Sequence, residues 1–269
     1  MDKTTRLYKD KFFRALFNSD NKRLLELFNA VTDDDIPDDT DVKPFPSNSL
    51  FERYNDLAFS VGSQLIVFCE HSSTIAPNMP IRLLSYVTDI LYSHLVSMDK
   101  LYGSVIVRIP TPKFFILYNG EQRLENQTLK LSDAFIVKDL EPALELTARV
   151  IDINYDSNAP ALRRSESLSG YSFLVSEIRK NLRNGMTRDK SIITAIDLCI
   201  ENNVLAEFLR EHYQEAIKML NYEYDAEAER RVIRQETWQE AMDTLAELLK
   251  KGFPLEIALE KAKELAKEN

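Results

Sequence analysis

The sequence predicts an α/β protein: a mixed β-sheet core flanked by helices, followed by an all-helical C-terminal extension. Three observations predict it. Residues 50 to about 153 hold short runs rich in β-branched and aromatic residues around one long amphipathic stretch. From about residue 160 onward the apolar residues recur at helical spacing instead. Of the 269 residues, 44% are hydrophobic and 29% charged, a balance that lets a globular chain bury a core. The elements read in the order α–βββ–α–ββ and then all helix.

Phe12, Phe13, Leu16 and Phe17 recur at helical spacing, and Ser19 or Asp20 caps a second helical stretch, LLELFNA. The segment TDDDIPDDTDVKPFPSNS suits neither helix nor strand and predicts an exposed connector. DLAFSV, a Gly62-Ser63 turn and LIVFCE predict a β-hairpin. Pro80 opens a long helix, IRLLSYVTDILYSHLVSM, with Leu84, Val87, Leu91, Leu95 and Met98 as its apolar stripe. SVIVRIP, KFFILYNG and ALELTARVIDINY predict strands, whereas SFLVSEIRKNL, AIDLCI, LAEFLREHY and a long charged segment around Trp238 predict helices. Gly252-Phe253 stops one helix and Pro254 restarts the last. The expected organisation is a core over 1–155, a helical part packed on it over 156–222, and a C-terminal helical hairpin over 223–269.

Composition removes several function classes. With 6 glycines and neither GxGxxG nor GxxxxGK[ST], the chain has no loop built to cradle a nucleotide. It holds no run of about 18 apolar residues, so no membrane association is expected. MDKTTRLYKDKFF lacks the apolar core of a signal peptide. Cys69 and Cys199 sit in apolar runs and read as buried thiols of a cytoplasmic protein. A net charge of −9 disfavours nonspecific coating of nucleic acid but leaves room for an acidic, metal-binding centre. Residues 222–269 carry 12 acids against 8 bases, which favours packing or self-association into a homo-oligomer over DNA reading by the last helices.

The hairpin is where chemistry enters. A three-residue loop, Gly62 to Gln64, makes Val61 face Leu65 and Leu57 face Cys69, and it puts Asp56 opposite Glu70. Facing side chains have Cβ atoms about 5 Å apart, and like charges so placed cost stability. A divalent cation shared by the two carboxylates removes that cost, and Mg²⁺ is commonly held by one or two carboxylates plus a substrate phosphate. A two-residue turn would instead set Asp56 against Cys69 and send Glu70 to the other face. The alternation permits both registers.

YKDKFFRALF, NDLAFSVGSQLIVFCEHSSTIAPNMPIRLLSY, IPTPKFFILYNG, LKLSDAF and IDINY, followed by GYSFLVSEIR, AIDLCIENNVLAEFL and NYEYD, run in order over nearly the whole chain. These strings resemble the recombination-promoting nuclease/putative transposase family of the PD-(D/E)XK superfamily. The resemblance implies a restriction-endonuclease-like fold. It also implies a Mg²⁺- or Mn²⁺-dependent endonuclease acting on DNA, with Asp56 and Glu70 as catalytic acids and metal ligands. The family pattern after the glutamate is E-x-Q, and E-x-K in the wider superfamily, whereas this chain has Ser72 at the third position. Ser72 separates two readings: an active nuclease in which serine acts on the water, and a catalytically weakened or inactive relative serving as a DNA- or protein-interaction module.

Three residues are supporting candidates. Asp10 in YKDKFFRALF matches a motif position on the first helix, as a further acid or a cap. His71 alternates with Glu70 and reads as a structural histidine whose backbone carbonyl can reach a metal. Arg82, in a helix first turn, suits contact with phosphate or the acids, or a surface ion pair. Arg108 and Lys113 read as solvated strand-end charges, and Tyr118, Asn119 and Gly120 as the turn ending a strand.

Overall fold

The computed structural model describes residues 11–32, 34–45, 57–62, 65–73, 75–120, 124, 127–251 and 253–268. The chain divides into two compact units, one ending at Leu220 and the other continuing from Asn221. The first unit opens with α1 (Lys11–Asn18) and α2 (Asn21–Thr32). Asp20 is the cap that starts α2: its carboxylate accepts from Lys22 N (2.9 Å) and its carbonyl from Arg23 N (3.0 Å). Ser19 instead closes α1 by donating to Leu16 O (2.7 Å).

Three strands follow, β1 (Val42–Pro44), β2 (Leu57–Val61) and β3 (Leu65–Ser72). α3 (Met79–Ile90) leads through a π-helical turn at Leu91–Leu95 to the short α4 (Met98–Leu101). The sheet is completed by β4 (Thr111–Tyr118), β5 (Gln127–Lys130) and β6 (Thr147–Asp152). The spatial order is β1-β2-β3-β4-β6-β5. The β3–β4 and β4–β6 pairs are parallel and the rest antiparallel, which makes the sheet mixed, as expected. α5 (Pro160–Arg164), α6 (Glu166–Arg183), α7 (Arg188–Glu201) and α8 (Ala206–Glu211) come next, then the 38-residue α9 (Tyr213–Lys250) and α10 (Leu255–Glu268).

The pleat sorts the residues onto two faces. On one, α3 lays Met79, Leu83, Tyr86, Val87 and Ile90 over Ile116, Tyr118, Ala148 and Val150. On the other, Phe13 of α1 and Tyr171 of α6 pack on His71 of β3. Phe12, Leu16, Leu24, Leu27, Leu168 and Ile178, all fully buried, fill the helical layer there. Cys199, in α7, is buried, and its burial together with the nearby Glu177 charge pushes the thiol up to about 12. Cys69 lies in β3, its side chain outside the described residues.

Four expectations need correction. The connector rich in Asp and Pro contains a strand, because Val42–Pro44 pairs with the outer edge of β2; an edge tolerates proline. SVIVRIP forms no strand: Val105 and Ile106 are 79% and 77% exposed, and Thr111–Tyr118 takes the place beside β3. Gln127–Lys130 does form a strand, an antiparallel edge whose polar residues give no apolar alternation. The long helix breaks after Ile90. Its buried edge is Met79, Leu83, Tyr86, Val87 and Ile90, leaving Leu84 and Leu91 half-buried and Leu95 exposed. The stripe drawn through Leu84, Leu91 and Leu95 lies one position too far round the helix.

Candidate functional site

The hairpin adopts the register of the three-residue loop. Leu57 pairs with Cys69, Phe59 with Val67 and Val61 with Leu65. Gly62 holds φ +58°, the left-handed turn that glycine adopts without strain. Leu57, Phe59 and Val61 are all buried, so one face of the hairpin is apolar, and a one-residue slip would turn that face outward. The two-residue turn is thereby excluded for the described part of the hairpin. Asp56 directly precedes Leu57 and lies outside the described residues, as does Asp10. Glu70 sits in β3 with its backbone beside Ile116 of β4, and its side chain is likewise outside the described residues. Among the described residues, no three of His, Cys, Asp and Glu cluster as metal ligands.

β3, β4 and β6 run parallel, and their C-terminal ends form the rim where sheets of this kind carry their sites. Two hydrogen-bond sets hold that rim. The first is buried behind β3. Asn119 Nδ2 donates to Tyr171 Oη (3.4 Å), and the same hydroxyl is hydrogen-bonded to His71 Nε2 (2.9 Å). Tyr171, His71 and Asn119 are 0%, 4% and 3% exposed, and Phe13 stacks on the imidazole with centroids 4.9 Å apart. The Asn119 backbone N–H donates to Ser72 O (3.0 Å), so this set also fixes the strand end that carries Ser72. Among the described residues Asn119 Oδ1 is buried without a partner. His71 is therefore a core histidine, packed between Phe13 and Tyr171.

The second set joins the loops after β4 and β6. The buried Asp152 accepts from Asn154 N (2.9 Å) and Nδ2 (2.8 Å) through Oδ1, and from Leu124 N (3.3 Å) through Oδ2. Asn154 Nδ2 also donates to Gly120 O (2.9 Å), and Arg179 of α6 donates to Asn154 Oδ1 (3.1 Å). At Gly120 a Cβ would fall inside the van der Waals radii of Tyr118 Oη and Ser73 O, which only glycine permits. Sequence reasoning gave Asp152, Asn154, Tyr171 and Arg179 no role. Their one signal was membership of IDINY and GYSFLVSEIR, two strings that meet here in space.

Arg82 lies half-buried on α3, and its Nε donates to Tyr86 Oη (3.1 Å). Lys113 pairs with Asp34 (3.4 Å) and reaches over the Phe28 ring, so it is tied into the fold rather than simply solvated at a strand end. A separate groove of about 520 Å³ beside α2 is lined by Lys22, Glu26, Asn29, Asp35, Asp38 and Arg164. Arg164 already pairs with Asp35 there (2.5 Å), and Glu26 accepts from Ser167 Oγ (3.1 Å).

A family model described as "Putative transposase, YhgA-like" matches residues 9–230. The chain belongs to the YhgA-like transposase family. The match takes in the whole sheet, both hydrogen-bond sets and the helices up to the first part of α9. No curated protein and no solved structure matches the chain. Among the described residues, no helix of this YhgA-like chain is long and apolar enough to cross a membrane.

The Tyr171 hydroxyl can be tested alone. Tyr171→Phe keeps the ring but removes the buried hydroxyl that bonds His71 Nε2 and Asn119 Nδ2, at a cost of about 1–3 kcal/mol. Urea unfolding should show that loss. An unchanged midpoint would mean that water replaces the hydroxyl.

Proposed function

We propose that this YhgA-like protein is a metal-dependent DNA endonuclease whose catalytic acids are Asp56 and Glu70. The observation that supports the proposal is the hairpin register, Leu57↔Cys69, which is that of the three-residue loop, the reading of the turn under which Asp56 is expected to face Glu70. Glu70 lies in the interior strand β3, where its backbone pairs with Ile116 of β4. The donor set fits Mg²⁺ or Mn²⁺: two carboxylates are hard oxygen donors, with no thiolate or imidazole among them. Membership of a transposase-like family makes DNA the partner to test first.

In this reading Asp56 and Glu70 supply the charge that holds the cation. A cation held there would lower the pKa of a bound water and neutralise charge developing on the scissile phosphate. Ser72 lies two residues beyond Glu70 on the same side of β3, its backbone fixed by Asn119, and its hydroxyl orients the attacking water. Arg82, on α3, supplies a guanidinium for the phosphate.

Nicking of supercoiled plasmid with and without Mg²⁺ tests the proposal; Mg²⁺-dependent nicks that EDTA abolishes are expected. Ser72→Gln should raise turnover about ten-fold, equivalent to about 1.4 kcal/mol, with Mg²⁺ affinity nearly unchanged. The third position acts on the water and the transition state rather than on the resting ion. If the wild type and Ser72→Gln are both silent under every divalent ion tried, the nuclease reading falls, and the interaction module takes its place.

A further inference from the structure

We propose that the outward face of α6, continued onto the first turn of α7, binds the phosphate backbone of duplex DNA beside the rim that carries Ser72. The choice of DNA rests on the nuclease reading, whereas the surface is drawn from charge and position. α6 runs along that rim: Tyr171 meets Asn119 after β4, and Arg179 donates to Asn154 after β6 (3.1 Å). Beyond Arg179 the chain turns basic. Residues 177–190 hold five bases against two acids, in a protein whose acids outnumber its bases by 43 to 34. One of those acids, Glu177, has its side chain only 12% exposed, and its charge bears on the buried Cys199. Its partner Lys180 (2.9 Å) is 59% exposed, so the surface presents the ammonium.

Position argues against a purely structural role for these bases. Lys180 and Arg183 end α6, where the macrodipole welcomes cations. Arg188 and Lys190 open α7, where it disfavours them, and the Thr187 side chain makes no cap there. An anion laid across this corner offsets that cost. At 3.6 residues per turn, Phe173, Ser176, Lys180 and Arg183 fall within about 80° of one another on α6. Tyr155, 48% exposed, packs on the Phe173 ring from the loop after β6, with centroids 5.2 Å apart. Asp156 and Asp189, both exposed, are acids at the edges of this strip. Hydroxyls and cationic heads in one line are the groups that hold sugar and phosphate, and they carry no base readout. The twelve residues from Tyr171 to Arg183 rise about 18 Å, the length of about five phosphates along one strand. A duplex on the rim would thus meet Arg183 about five base pairs from the bond to be cut. Lys190 follows across the Gly185 turn (φ +83°).

Fluorescence anisotropy of short labelled duplexes of two unrelated sequences, titrated with the full chain in EDTA, tests the strip without cleavage. Both should bind alike, with an affinity that falls as salt rises. Arg183→Glu and Lys190→Glu, at exposed helical positions, should each weaken binding about ten-fold and lower the log–log salt slope by about one. Lys130→Glu makes the same charge change at the opposite end of β6, beside Thr147, and should leave the slope alone. Helicity should match the wild type in all three. A wild type that binds no duplex, or that prefers a single strand of the same length, overturns the proposal. So does a loss in Arg183→Glu and Lys190→Glu no greater than that in Lys130→Glu. Plasmid nicking separates the strip from the nuclease reading. Mg²⁺-dependent nicks with binding indifferent to the strip sink the strip alone, whereas strip-dependent binding without nicks upholds it and sinks the nuclease.

Discussion

Asp56→Ala is expected to lower Mg²⁺-dependent nicking by about a hundred- to a thousandfold, the range typical for loss of one group that stabilises a charged transition state. The same substitution should leave stability in EDTA unchanged or raised if, as proposed, Asp56 and Glu70 face each other, because two such carboxylates repel when no cation lies between them. Loss of activity alongside a large loss of stability in EDTA would give Asp56 a structural role instead. Full activity in the variant would remove it from the chemistry.

The second large effect is expected at Gly120, where the problem is space rather than charge. Gly120→Ala drives a methyl against Tyr118 Oη and Ser73 O, at the junction of the loops that follow β3 and β4. Both neighbours are fixed. Tyr118 belongs to the core under α3, and the next residue, Asn119, is bonded to the carbonyl of Ser72. With no flexible side chain to yield, the cost should be about 3 kcal/mol, the upper part of the overpacking range. Urea unfolding would measure it. A loss below about 0.5 kcal/mol would show that the two loops separate freely.

What could be read in the sequence divides by the reach of the interactions involved. Local signals were legible. Asp20 as a helix cap, Pro80 in the first turn of α3 and the glycine turn of the hairpin all act over a few residues. The hairpin itself was legible, although two loop lengths suited its alternation. The deciding fact is that Leu57, Phe59 and Val61 must all be buried, which depends on the helices packed against them.

Strand assignment failed where it depends on who is already paired. SVIVRIP has the stronger β composition, yet the place beside β3 belongs to the next segment, and Val105 and Ile106 are left exposed. Propensity for the strand reflects fit to a half-buried surface, and that surface is tertiary. Gln127–Lys130 fails in the opposite sense: an edge strand needs only one partner and no apolar face. Around the site, alternation was enough to read His71 as a structural histidine. The partner of His71 was not legible, because Tyr171 lies 100 residues away in sequence and reaches the imidazole only after α6 docks. Asp152 carried no local signal either, because its two oxygens are occupied by Asn154 in the loop after β6 and by Leu124, contacts that form only once the loops meet.

Thermal melting of the wild type and of Asp56→Asn across a Mg²⁺ titration bears most directly on the pairing of Asp56 with Glu70. If the two carboxylates share the ion, Mg²⁺ at one hundred times its dissociation constant should stabilise the wild type by about 2.7 kcal/mol, and the effect should vanish in Asp56→Asn. An equal shift in both proteins would contradict the pairing and assign the ion to other acids, with the Asp33–Asp41 stretch the next to be substituted.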